Sequence, residues 1–116
     1  MTKKNSPFVT SFKKAVNPLL VLTVLKTRPM YGYEIASIIE KEGNGEYTIA
    51  LLYPILYKLQ AQGYIRESGI QVIDNRARSY YEITEQGEAF LKDTLAEYQH
   101  MTDIFQQIME NLYHED

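Results

Sequence analysis

Cysteine and tryptophan are absent from the 116-residue chain, and histidine occurs only as His100 and His114. Without cysteine there is neither a disulfide framework nor a thiolate metal site, and a reducing compartment is compatible with the composition. The two histidines stand fourteen residues apart with no local acid constellation, which excludes a triad or a histidine metal centre on sequence grounds. A glycine-rich phosphate loop is missing too, because Gly43-Asn44-Gly45 is too short and precedes no strand-to-helix unit. The expectation is a protein without catalytic residues, metal or cofactor.

Long apolar runs are also scarce. The longest, residues 16–25, is interrupted by Asn17, Pro18 and Thr23 and falls short of the about 20 residues that cross a bilayer. Residues 1–12 carry lysines but no continuous apolar stretch behind them, unlike a signal peptide. A cytoplasmic protein with no membrane partner is expected.

What is present suits one small globular domain, with 45% hydrophobic and 23% charged residues. The net charge of −3 disfavours nucleic acid at first sight, yet it averages two unlike parts. Residues 1–83 hold eleven Lys or Arg against seven Asp or Glu, a net of +4, whereas residues 84–116 hold one Lys against eight acids, a net of −7. A basic body with an acidic tail allows one face to meet phosphate while the other stays away.

Apolar residues at helical spacing, Phe8, Phe12, Val16, Leu19, Leu20 and Val24, predict one helix over residues 8–26 or two short ones meeting at Asn17-Pro18. In the second case Asn17 caps and Pro18 takes the first position; in the first, Pro18 kinks a longer helix. Ile35, Ala36, Ile38 and Ile39 oppose Glu34, Ser37, Glu40 and Lys41, giving a helix over residues 31–41 stopped by Gly43-Asn44-Gly45. Thr48 reads as the cap of a third helix over residues 48–62, with a buried stripe of Ile49, Leu52, Leu56 and Leu59, ended by Gly63. Ile65, Ile70, Val72 and Ile73, a turn at Asp74-Asn75, and Ser79-Tyr80-Tyr81-Glu82-Ile83 predict a hairpin. Thr84 then caps a last helix with Glu85 and Glu88 in its first turns.

The expected fold is mainly α with a small β-hairpin: a winged helix-turn-helix with an N-terminal helix over residues 1–83, and a long C-terminal helix over residues 84–116 for dimerisation. In such a core the third helix enters the major groove of DNA. Its non-stripe residues, Thr48, Ala50, Leu51, Tyr53, Pro54, Tyr57 and Lys58, include two tyrosines and no acid, unlike an ordinary solvated helix face. Thr48, Ala50 and Leu51 suit thymine methyls, and Tyr53, Tyr57 and Lys58 suit phosphate or bases. The plain alternative for the tyrosines is packing against the wing. Pro54 inside a helix starting at Thr48 would cost ~3 kcal/mol, so either it shapes the groove-facing surface or the helix starts nearer Tyr53. Arg76 and Arg78 flank the hairpin turn and fit phosphate or minor-groove contacts, unless they line an ordinary solvated loop. With Lys58 the only charge on the helix, most phosphate contacts are expected from Arg76, Arg78 and the N-terminal lysines.

Along the last helix Leu91, Leu95, Tyr98, Met101, Phe105, Ile108 and Leu112 recur every 3.5 residues on average, the coiled-coil period. A domain this small cannot cover a helix ~45 Å long, so a homodimer is expected, with this stripe as the interface. The alternative is that the helix folds back onto the first one. In a dimer, Phe8, Phe12 and Val16 would pack on the partner's last helix, and two recognition helices would meet successive major grooves ~34 Å apart in a palindromic double-stranded operator.

Four blocks in order resemble the PadR transcriptional regulators in their short form. They are Pro29-Met30-Tyr31-Gly32-Tyr33-Glu34-Ile35, Leu52-Tyr53-Pro54-Ile55-Leu56-Tyr57-Lys58-Leu59, Gly63-Tyr64-Ile65, and Arg78-Ser79-Tyr80-Tyr81-Glu82-Ile83-Thr84-Glu85-Gln86-Gly87. The chain departs from the family where Asn75-Arg76-Ala77-Arg78 stands for a glycine and paired arginines, and where Gln60 replaces a frequent glutamate. The resemblance implies a dimeric winged-helix repressor released by a small hydrophobic or phenolic effector. In drug-sensing members the ligand sits at the dimer interface, which implies a site near Phe12, Val16, Tyr98, Met101 and Phe105; interface packing accounts for the same residues. The competing function is a winged helix that docks another protein through the Tyr53 and Tyr57 face without binding DNA.

Overall fold

The computed structural model describes residues 5–113, so Met1 to Lys4 and the C-terminal residues from His114 lie outside the described part. Helix α1 (Pro7–Leu25) starts with Ser6 accepting from the Val9 N–H at 3.1 Å and with Pro7 in its first turn. It is one continuous helix with Pro18 inside it. Asn17 is therefore not a cap; its Oδ1 instead accepts a hydrogen bond from the Tyr47 hydroxyl. At 19 residues and mean hydropathy 1.4, α1 has the length and composition of a membrane span, contrary to the shorter run read from sequence. Its apolarity has a local use, because Leu19, Val21, Leu22 and Leu25 are buried in the core of the domain.

A two-residue strand, β1 (Met30–Tyr31), leads into α2 (Gly32–Glu42). The Tyr31 N–H donates to Glu34 Oε1 at 3.3 Å, tying off the start of α2, and Asn44 and Gly45 with φ of 54° and 78° close its end. Helix α3 (Leu52–Ala61) begins four residues later than Thr48, with Leu51 in the cap position. Pro54 thus occupies the first turn, where a missing N–H removes no intrahelical bond, and the ~3 kcal/mol expected of an interior proline does not arise.

Strands β2 (Ile65–Ile73) and β3 (Arg76–Ile83) form the wing, and β1 adds to β3 to make an antiparallel sheet in the order β1-β3-β2. Asp74 and Asn75 have φ of 51° and 64°, the left-handed pair that a two-residue type I′ hairpin requires. A bulge between Glu67 and Gly69 shifts the register, so that Ile70 faces Ser79 and Val72 faces Ala77.

Helix α4 (Glu85–Leu112) is capped by Thr84, whose Oγ1 accepts from the Gly87 N–H at 3.0 Å and donates to the Gly63 carbonyl at 2.7 Å. Leu91 enters the core formed by α1, α2, α3 and the sheet. Beyond Tyr98 the helix leaves the body, and the molecule extends 62 × 39 × 21 Å. Its 8830 Å² of accessible surface exceeds the about 6500 Å² expected of a compact monomer of this mass. The projecting end of α4, where Met101, Phe105, Ile108 and Leu112 are exposed, and the wing, where Ile70 and Val72 are exposed, both contribute to the excess.

Candidate nucleic-acid interface

The loop before α3 is fastened to α1. Lys13 Nζ donates to the Thr48 carbonyl at 3.0 Å and lies 4.8 Å from the centre of the Tyr47 ring, while Tyr47 reaches Asn17. Burial raises the Tyr47 hydroxyl pKa above its ordinary value. These contacts set where α3 starts and hold Thr48, Ala50 and Leu51 exposed on the loop rather than on the helix as read from sequence.

On α3, Leu52, Leu56 and Leu59 turn inward, whereas Tyr53, Pro54, Tyr57 and Lys58 are exposed. The rings of Tyr53 and Tyr57 lie 6.2 Å apart and tilted by 42°. Tyr53 leans over Gly32, the first residue of α2, and both tyrosines border the wing while remaining 43% and 60% exposed. Packing on the wing and exposure to a partner, opposed in the sequence reading, therefore coexist.

Arg76 is exposed beside the hairpin turn. Arg78 is not a tip residue. It sits on β3 opposite Gln71 with its guanidinium 5.6 Å from the centre of the Tyr31 ring, and its Nε is buried without a hydrogen-bond partner. Tyr31 in turn packs on Tyr80 at 5.3 Å and Tyr33 at 6.5 Å. Desolvation, then the neighbouring Glu34 carboxylate, raises the Tyr31 hydroxyl pKa. Between α3 and the wing opens a cleft of about 180 Å³ lined by Tyr31, Tyr53, Tyr57, Ala77, Arg78, Ser79 and Tyr81. Sequence reasoning missed Tyr31, Ser79 and Tyr81 as neighbours of the recognition face. The available signal was slight: a proline at position 29 ahead of a two-residue extended segment.

Among the described residues the ion pairs are Arg28 with Glu34 and Arg66 with Glu82. Lys58, Arg76 and Arg78 pair with no acid among those residues, while Asp74 at the turn, Glu34 near Tyr31 and Glu67 near Tyr81 are the acids of the same side.

The stripe on α4 divides into parts. Leu91, expected at the dimer interface, is 3% exposed within its own chain, because the first turns of α4 pack on the core. Leu95 and Tyr98 join Phe12, Val16, Leu20, Ile38 and Tyr47 around an apolar cavity of about 460 Å³. The fold-back alternative thus holds for this first part of α4. Met101, Phe105, Ile108 and Leu112 lie farther out and are between 48% and 73% exposed. Of the five residues implied as a ligand site, Phe12, Val16 and Tyr98 share the cavity, whereas Met101 and Phe105 do not line it.

Comparison with known proteins agrees with this architecture. A crystal structure of a PadR family transcriptional regulator from Eggerthella lenta superposes with a TM-score of 0.79 at 25% identity, covering 89% of each chain. A transcriptional regulator from Clostridium thermocellum shares the fold with a TM-score of 0.77 at 24% identity, over 84% of this chain and 96% of that one. An uncharacterized protein of Lysinibacillus sphaericus is 30% identical over 95 residues, spanning 80% of this chain and 87% of the relative. Residues 21–93 match the profile of the transcriptional regulator PadR-like family, and with the winged helix, its aromatic α3 face and the α4 arm in place, the chain belongs to that family.

Proposed function

We propose that the protein is a transcriptional repressor of the cytoplasm that binds a palindromic operator as a homodimer. Residues 1–83 serve as the DNA-binding unit and residues 84–116 as the dimerisation helix. The observation that carries this reading is the recognition face itself. Tyr53, Pro54, Tyr57 and Lys58 stand exposed on α3 with no acid among them, beside Arg76 and Arg78 on the wing. Thr48, Ala50 and Leu51 add small and apolar groups on the loop leading into the helix, suited to thymine methyls at the groove edge. An aromatic surface next to unpaired cations fits a polyanion with flat bases better than it fits water.

Dimerisation follows from the arm. Four large apolar side chains, Met101, Phe105, Ile108 and Leu112, lie exposed at helical spacing on α4, and a second α4 is the natural cover for them. Such a dimer would also close the cavity lined by Phe12, Val16 and Tyr98 and bring Met101 and Phe105 towards it, supplying a site for a small hydrophobic or phenolic effector. Occupation of that site would change the angle between the two arms and release the operator.

A gel-shift titration against DNA upstream of the protein's own gene, repeated over a range of salt, tests the proposal. Binding whose affinity falls steeply with ionic strength is expected, with a log–log slope of about −0.9 per phosphate contacted. An intact dimer that binds no such fragment at low salt would sink it. A protein that merely docks a partner through the Tyr53 and Tyr57 face would show neither DNA binding nor this salt dependence.

A further inference from the structure

We infer that Tyr47 is the positioning residue through which the apolar cavity between α1, α2 and α4 acts on the recognition face. An apolar aromatic guest in that cavity shifts the Tyr47 ring, breaks its bond to Asn17 and frees the segment that carries Thr48, Ala50 and Leu51. The inference rests on the DNA-binding reading above and adds to it a control that works inside each protomer, separate from the angle between the two arms.

The segment between α2 and α3 depends on side chains for its place. Tyr47, Thr48, Ile49 and Ala50 make no backbone-to-backbone hydrogen bond among the described residues. What ties them down is the Tyr47 hydroxyl donating to Asn17 Oδ1, Lys13 Nζ donating to the Thr48 carbonyl at 3.0 Å, and Ile49 packed half-buried against the core. Both bonds end on α1, one turn apart. They are also linked to each other, because the Lys13 ammonium lies 4.8 Å from the centre of the Tyr47 ring. A cation is drawn to the face of a ring, so moving the ring removes part of what keeps Lys13 at the Thr48 carbonyl.

Tyr47 is also where this segment meets the cavity. The other walls come from α1, α4, and α2 with its capping Gly43, and none of the described lining residues belongs to α3. At about 460 Å³ the cavity has the size of a small-molecule site, and Phe12, Tyr47 and Tyr98 offer rings to an aromatic guest. The base of the Tyr47 side chain has no room to retreat towards α2, since a Cβ on Gly43 would stand 3.1 Å from Tyr47 Cβ. A guest that presses on the ring then finds its point of release in the bond to Asn17. The half-buried hydroxyl is left without its partner, which favours a swing of the whole segment into water.

The full-length protein and the duplex upstream of its gene test the inference, with 2-naphthol as the cavity probe. Tyr47→Phe keeps the ring and removes the hydroxyl; it should remain a folded dimer by circular dichroism and sedimentation and bind the duplex about three- to tenfold more weakly. Asn17→Ala should lose as much, and the double variant no more than either alone. The probe should shift the methyl resonances of Val16 and Val24 in wild type and in Tyr47→Phe alike, yet weaken duplex binding in wild type only, because the variant's segment is already free. In wild-type protein without DNA it should raise the mobility of Thr48 to Leu51 in 15N relaxation and leave Leu56 and Leu59 unchanged. Single variants that bind as wild type, losses that add, methyls that ignore 2-naphthol, or a probe effect equal in wild type and Tyr47→Phe each overturn the role of Tyr47 while leaving DNA binding intact. A wild type that binds no duplex at low salt overturns the DNA-binding reading instead, and the relaxation of Thr48 to Leu51 then still decides whether the cavity controls the segment.

Discussion

The hydroxyl of Tyr53 rests on Gly32: a Cβ built on that glycine would stand 2.6 Å from Tyr53 Oη and 2.9 Å from Cζ. The start of α2 therefore meets α3 through the Tyr53 ring, with no side chain of its own at the contact. The colliding atoms are the swinging end of a ring, so Gly32→Ala should shift stability by no more than about 1 kcal/mol while pushing Tyr53 out of place. Thermal melting close to wild type, together with a clear loss of operator affinity in gel shift, is the expected pair of results.

Tyr53 and Tyr57 are exposed, and neither holds the core together. Replacing either by Ala should leave the melting temperature and the dimer nearly unchanged and weaken operator binding by roughly tenfold or more, a difference of about 1.4 kcal/mol or above. Fluorescence anisotropy with labelled duplex, alongside sedimentation, separates the two effects.

Gly87 presents the opposite case. A Cβ there would lie 2.1 Å from the Tyr64 carbonyl oxygen, which is backbone and cannot swing aside. Gly87→Ala should destabilise the fold by about 2 to 3 kcal/mol, readable as a drop of roughly 10 °C or more in melting temperature.

Met101 and Phe105 are 60% and 62% exposed on the arm. If α4 forms the proposed dimer interface, the double substitution Met101→Glu with Phe105→Glu should yield a folded monomer, because two charges placed in that apolar surface would not be compensated there. Sedimentation velocity should show half the wild-type mass, with an unaltered far-ultraviolet spectrum.

Burial raises the Tyr47 hydroxyl above its ordinary value of 10.0. The folded chain then favours the phenol while the unfolded chain ionises first, so this contribution is complete below pH 10 and is lost as pH rises through the native value. Tyr81 is raised by burial in the same direction. Tyr47→Phe should lower stability by about 1 kcal/mol at neutral pH through loss of the bond to Asn17, and should flatten the decline above pH 10. Denaturant midpoints measured from pH 8 to 11 check both.

Much of this architecture is legible in the residues, for physical reasons. Leu52, Leu56 and Leu59 repeat at helical spacing because one face of α3 is buried, and Asp74-Asn75 marks its turn because few residue pairs tolerate two positive φ values. Thr84 is readable because a cap is a local bond. The start of α3 is less so: Thr48 has the chemistry of a cap, but Lys13 and Asn17 hold that loop from α1, thirty or more residues away in sequence. Strand β1 is invisible for a similar reason, since two residues owe their extension to pairing with Tyr80 and Tyr81. Leu91 and Leu95 belong to one heptad stripe, and nothing in a periodic pattern says where a helix leaves its own core.

The root of α4 is joined to the turn that ends α3 by local bonds and packing. Thr84 bonds the Gly63 and Tyr64 carbonyls, Gly87 lies against Tyr64, and the Tyr64 ring stacks on Phe90 at 4.3 Å. These contacts couple the base of the arm to the end of α3. From Leu91 to Leu112 the helix measures about 32 Å at 1.5 Å per residue, so a displacement of only about 3 Å at its tip corresponds to a rotation of roughly 5° about its root. On the DNA-binding reading proposed above, the arm would work as a tiller: a side chain's width of movement at its tip would be enough to swing α3 out of line with a groove.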